Sequence, residues 1–301
     1  MHSASASLRR IATNTLLCAV IATSAAAQEA HWSFSTPKRP AVPALEQGGA
    51  RPVIDAFISR RLAREGLAMS PTANRRTLIR RLSLDLTGLP PTPTEIATFA
   101  ADKRPDAYEI QVDKLLSRPQ FGERMALRWL DLARYADTNG YSIDGGRHMW
   151  AWRDWVINAY NDNMPFDQFT IEQIAGDLLP NATESQRIAS GFNRNHMNTH
   201  EGGTILEECR VAYVADRVTT TAVTWMGLTV GCAQCHDHKY DPISQHDYYR
   251  FFAYFNTITD KGNDGNGGVN SVPFVPIYDQ DQKSTLQRLR SEIAELESQL
   301  L

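Results

Sequence analysis

Through most of this 301-residue chain, apolar residues recur every three or four positions between proline and glycine breaks, and no stretch alternates apolar with polar strongly enough to read as a strand. That pattern predicts a mainly α fold: an irregular multi-helix globular domain with long loops. Helices are expected over about 52–64, 72–86, 94–101, 106–117, 121–137, 150–160, 166–179, 182–190, 206–226 and 244–256. Gly66 is placed to end the first in a left-handed cap, and Gly88-Leu89-Pro90-Pro91 to stop the second. The segment over 121–137 is apolar nearly all round, which assigns it to the centre of the core.

The chain opens like an exported protein. Arg9 and Arg10 precede an apolar stretch over 11–23 and the small residues Ala25-Ala26-Ala27, so residues 1–27 read as a signal peptide. The apolar stretch is too short for a span of about 20 residues, so no stable membrane span is expected. The implied location is periplasmic or secreted. Residues 28–51 form a proline-rich extended lead-in with aromatic anchors. The whole chain carries 31 basic and 34 acidic residues, a balance that gives no reason to expect a nucleic-acid partner.

Gly231-Cys232-Ala233-Gln234-Cys235-His236-Asp237-His238-Lys239-Tyr240-Asp241-Pro242 holds the densest chemistry. Its C-x-x-C-H core is the spacing of c-type haem attachment, with Cys232 and Cys235 as thioether donors and His236 as proximal iron ligand. The same cysteine spacing also serves a disulfide, a redox thiol pair or part of a zinc site. A zinc or other divalent-metal reading recruits His236, His238 and Asp241, with Glu201, Glu207 or Glu208 as base or further ligand, and suits a metal-dependent hydrolase. A third reading makes the pair a disulfide in a non-catalytic secreted binding module. Outside the signal peptide the only other cysteine is Cys209, which the haem reading leaves as a free thiol.

A small cytochrome c carries its haem motif early and a methionine after it. Here the last methionine, Met226, precedes His236, so an ordinary small cytochrome c fold is not expected. A second axial ligand has to come from upstream, and the polar loop over 191–203 offers Met197, with His196 and His200 as imidazole alternatives. An open coordination position is the remaining option. Trp150, Trp152 and Trp155 could flank a planar cofactor, although tryptophans at helical spacing are more often core. The arginines at 60, 61, 64, 75, 76, 80 and 81 are read first as solvated helix faces with local ion pairs.

Residues 52–258 make up the helical domain, 259–283 a flexible linker, and 284–301 the start of a coiled-coil helix. Leu286, Leu289, Ile293, Leu296 and Leu300 alternate three- and four-residue steps for only about two heptads, which suggests a truncated coiled coil or a helix that docks on a partner or a C-terminal domain.

Five ordered stretches carry a resemblance: Arg76 to Pro91 (RTLIRRLSLDLTGLPP), Trp129 to Gly140 (WLDLARYADTNG), Pro165 to Pro180 (PFDQFTIEQIAGDLLP), Asp216 to Thr221 (DRVTTT) and the segment Gly231 to Pro242. Over residues 50–257 the chain closely resembles the planctomycete cytochrome-c-like secreted proteins, whose domain is of unknown function. The resemblance implies haem and electron transfer with a redox partner not yet known, and a domain that commonly lies within longer secreted proteins.

Overall fold

The computed structural model describes residues 32–44, 53–141, 144–263 and 270–299. The expected signal peptide lies outside them. Contacts divide the chain into two units, one ending at Thr72 and one beginning at Ala73.

In the first unit a 3-10 turn, Trp32–Phe34, leads into an extended run, and α1 spans Val53–Arg64. Gly66 ends α1 at φ 68°, the left-handed conformation that its missing Cβ permits. Among the residues of α1 only Ala56 is buried.

The second unit is helical throughout, with α2 (Arg75–Thr87), α3 (Pro93–Ala101), α4 (Ala107–Leu116), α5 (Pro119–Leu132), α6 (Trp150–Asn161), α7 (Phe166–Ala175), α8 (Glu184–Ala189), α9 (Leu206–Thr221), α10 (Gln245–Phe255) and α11 (Gln280–Gln299). Among the described residues there is no strand, only two isolated bridges, Thr138 to Gly146 and Gly140 to Asn198. The mainly α expectation holds. Asn74, Thr92, Thr183 and Ser244 cap α2, α3, α8 and α10 with side-chain oxygens, the last three as reciprocal capping boxes.

Among the described residues three apolar clusters organise this unit, the smallest made by Ile79, Phe99 and Ala107. The first gathers Trp129, Trp152, Trp155, Phe169 and Phe192, with Trp225 packed against them. Gly122 lets α5 and α6 close on each other, because a Cβ there would lie 2.3 Å from the Ile157 carbonyl oxygen. Trp129 donates its indole N–H to Gln173 Oε1 at 2.9 Å, satisfying two buried polar groups together. Trp152 and Trp155 are therefore core residues, while Trp150 is exposed. The second core joins Val214, Val218 and Ala222 of α9 to Val230, Ala233, Tyr248 and Phe255.

α5 ends at Leu132 rather than continuing to 137. Arg134 takes φ 60°, Tyr135 N–H reaches back to the Leu130 carbonyl at 2.9 Å, and Arg134 pairs with Asp216 of α9. A left-handed cap usually falls to glycine, so no helix-stop letter marks this one in the sequence. α9 likewise ends at Thr221, and Ala222–Met226 widen into a π-helical turn closed by Gly227 at φ 64°.

Candidate functional site

The C-x-x-C-H segment folds as one tight turn on the surface. After the π-helical turn the chain forms a 3-10 turn, Gly231–Gln234, in which the Cys232 carbonyl accepts from Cys235 N–H at 3.3 Å and from His236 N–H at 3.4 Å. Val230 and Ala233 point inward, 4% and 0% exposed, and anchor the turn in the second core. Cys232 and Cys235 are left exposed, both as free thiols.

α10 grips this turn from its first residues. The Gln234 carbonyl accepts from Gln245 Nε2 and from the Tyr249 hydroxyl, each at 3.1 Å, while Asp237 Oδ1 accepts the Gln245 backbone N–H at 2.8 Å. The backbone of the site is thus held by the same helix end that Ser244 caps.

The two imidazoles take opposite tautomers. His236 Nδ1 lies 2.8 Å from the Asp237 carbonyl oxygen, which can only accept, so Nδ1 carries the proton and Nε2 presents a lone pair. The ring is exposed. His238 Nδ1 instead accepts the Asp241 N–H at 2.9 Å and the Tyr240 N–H at 3.4 Å, which places its neutral-form proton on Nε2. Asp241 Oδ2 is 3.3 Å from that same Nδ1. His238 and Asp241 therefore face each other, and His236 does not join them. Glu207 lies in the first turn of α9, about 20 Å along the helix axis from Thr221, and pairs with Arg210 at 2.8 Å. Among the described residues no three of His, Cys, Asp and Glu are gathered as a metal-holding group.

The loop over 191–203 belongs to a different construction. Arg217 is 1% exposed; its Nε donates to the Asn193 carbonyl at 2.7 Å and its Nη2 meets Asp260, which Arg194 also contacts. His196 Nδ1 lies 2.8 Å from the Met197 carbonyl, so its Nε2 accepts, and Arg217 Nη2 fills that position at 2.7 Å. The His196 ring stacks on Tyr213 at 4.5 Å, and Arg147 donates to the His196 and Asn195 carbonyls at 2.7 and 3.1 Å. Burial and the Arg217 cation hold the His196 pKa well below its ordinary value. Burial and Arg194 push Arg217 down to about 9, which leaves it cationic at neutral pH.

This arrangement sets His196 apart from the axial-ligand candidates, because its only lone pair is occupied. Met197 is exposed and lies over Gly140, where an added Cβ would come within 2.8 Å of the methionine Cγ. His200 is half-buried beside Thr199, whose N–H donates to the Tyr213 hydroxyl at 2.8 Å. Tyr213 and Arg217 lie on a face of α9 about 100° round from Val214 and Val218, against which the C-x-x-C-H turn packs. Among the described residues, no hydrogen bond, ion pair or ring contact joins Met197 or His196 to Cys232–His236. Sequence reasoning singled out the loop but not its purpose: Arg217 lies in the Asp216–Thr221 stretch, but its partners Arg147 and Asp260 are distant in sequence and lie in none of the quoted stretches.

The class defined so far is an all-helical domain that displays a surface C-x-x-C-H turn. Residues 53–260 match the family PSCyt2, described as a protein of unknown function (DUF1549), and the chain belongs to that family. Searches of curated proteins and of solved structures found no match. No helix among the described residues is long and apolar enough to cross a membrane.

Proposed function

We propose that this domain is an exported c-type haem protein that transfers electrons, with Cys232 and Cys235 as the thioether donors and His236 as the proximal ligand through Nε2. One observation carries the reading: two exposed thiols on a single turn stand beside an exposed imidazole whose Nδ1 proton is already committed to a backbone carbonyl. A histidine that ligates iron or another metal through Nε2 needs its proton on Nδ1, and a carbonyl partner for that proton fixes the ring as well as the tautomer. The lone pair of His238, on Nδ1, is taken up by the Asp241 and Tyr240 N–H groups, which weighs against the hydrolytic metal reading through His236, His238 and Asp241.

The haem supplies one-electron exchange at a potential set by its axial ligands and surroundings. The chain supplies the attachment thiols, the oriented imidazole, and a backbone clamped by Gln245 and Tyr249. With the His196 lone pair taken by Arg217, a second protein ligand, were haem bound, would be Met197 or His200, and the position would otherwise be open to a small ligand.

The test is a reduced pyridine-haemochrome spectrum with intact mass, on protein exported from a host that matures c-type cytochromes. A c-type band and the added mass of one haem are expected, both lost in Cys232→Ser with Cys235→Ser. A colourless protein at apoprotein mass, beside a working maturation control, would overturn the proposal; bound zinc would favour the metal reading, and loss of two hydrogens the disulfide.

A further inference from the structure

α11 buries none of its side chains. Leu289, Ile293 and Leu296 are 42%, 54% and 60% exposed, and with the half-buried Leu286 they form a continuous apolar stripe with steps of three, four and three residues. Among the described residues, the ion pair that joins the helix to the body of its unit, Lys283 to Glu184 at 3.1 Å, is exposed, and Leu289, Ile293 and Leu296 stay open to solvent. An apolar seam with this spacing is the contact line of a two-stranded coiled coil.

The charges beside the seam specify the occupant. Residues 280–290 hold Lys283, Arg288 and Arg290 against one acid, Asp281, whereas residues 291–299 hold Glu292, Glu295 and Glu297 and no basic residue. Two such helices side by side in the same direction would set Glu292 of one against Glu297 of the other, twice over, with no opposite charge in compensation. Reversing one helix instead sets Lys283 of each against Glu297 of the other, twice over, against one Arg290–Arg290 and one Glu292–Glu292 encounter near the two-fold axis, and it opposes the helix dipoles favourably as well. We propose that α11 pairs antiparallel with α11 of a second copy of this chain, forming a weak homodimer through Leu286, Leu289, Ile293 and Leu296.

Sedimentation equilibrium of the full chain across a concentration series tests this independently of haem content. The weight-average mass should rise towards twice the monomer mass, and Leu289→Asp with Ile293→Asp should hold it at the monomer value while the far-ultraviolet spectrum stays that of the folded protein. Glu297→Lys separates the two orientations. It should weaken the antiparallel pair about fivefold, since the lost attraction occurs twice across the two-fold axis; in a parallel pair the same change would turn the Glu292 repulsion into attraction and strengthen association. A monomer at every concentration, a dimer indifferent to the double substitution, or a dimer tightened by Glu297→Lys would each overturn the proposal. The first result would assign the stripe to a different partner.

Discussion

His196 and His236 make the same local hydrogen bond and are nevertheless opposite in what they can do. Each places Nδ1 2.8 Å from the carbonyl of the following residue, which fixes the proton there and turns Nε2 into an acceptor. At His196 the tertiary structure then fills Nε2 with the Arg217 guanidinium and seals the ring at 3% exposure. At His236 the ring stays exposed on a turn whose inward residues, Val230 and Ala233, provide the anchoring. Local chemistry sets the tautomer, and packing decides whether the lone pair is structural or available for ligation. The buried site should therefore govern stability and the exposed one chemistry.

The sharpest way to break that contrast is at Asp260. Asp260→Asn leaves Arg217 and Arg194 without their shared carboxylate, and breaking a buried ion pair of this kind costs about 3–5 kcal/mol. A large drop in the urea midpoint with an unchanged slope is expected. His196→Ala comes next, at about 1–3 kcal/mol, because it orphans a buried Arg217 donor and removes the stacking partner of Tyr213.

The same residue fixes a pH dependence. Because the folded-state pKa of His196 is depressed below about 6.5, the unfolded chain binds the proton first. Its contribution is present in full above that value and shrinks as the pH falls, at up to about 1.4 kcal/mol per pH unit, until the folded-state pKa is reached. Urea titrations between neutral and mildly acidic pH should show this slope, and His196→Ala should remove it.

Smaller effects belong to the exposed turn. Tyr249→Phe deletes one of two donors to the Gln234 carbonyl and should cost about 0.5–1.5 kcal/mol. His236→Ala should change the urea midpoint by less than about 0.5 kcal/mol in the haem-free protein, as an exposed side chain without tertiary partners does. On the proposed reading the same substitution abolishes the proximal ligation seen in the optical spectrum. A large destabilisation by His236→Ala would erase the distinction between the two histidines.

Much of the scaffold was legible in the letters. Helical periodicity and capping residues located the helices, and Gly66 and Gly88 mark ends that the structure confirms at φ 68° and 69°. Arg61 pairs with Glu65 one turn on at 2.9 Å, as expected of a solvated helix face, but Arg75 lies over the Phe99 ring at 4.7 Å, a tertiary contact that local charge patterning cannot foresee. The stop of α5 at Leu132 was illegible because Arg134 takes a conformation usually left to glycine, with a carboxylate on α9 as its partner. The Arg217–Asp260 pair spans 43 residues, and although Arg217 lies in the Asp216–Thr221 stretch nothing marks Asp260 as its partner, so only folding brings the pair into view. In the Gly231–Pro242 segment the residue types were readable, whereas the opposite tautomers of His236 and His238 depend on backbone groups that no alphabet records.

The π-helical turn Ala222–Met226 sets the length tolerance of the chain. A turn wider than its α-helical neighbour holds roughly one residue more per revolution and rotates everything downstream by about 100°. Gly227 then ends the helix, and the short link to Gly231 brings Val230 and Ala233 into the second core and leaves the thiols outward, so the length of the path from Arg217 to Cys232 is fixed at both ends. Removing a single residue from this turn would shorten that path and pull Val230 and Ala233 out of register with the second core. Homologues that keep the surface thiols should thus conserve the count of residues between Arg217 and Cys232 more strictly than their identity.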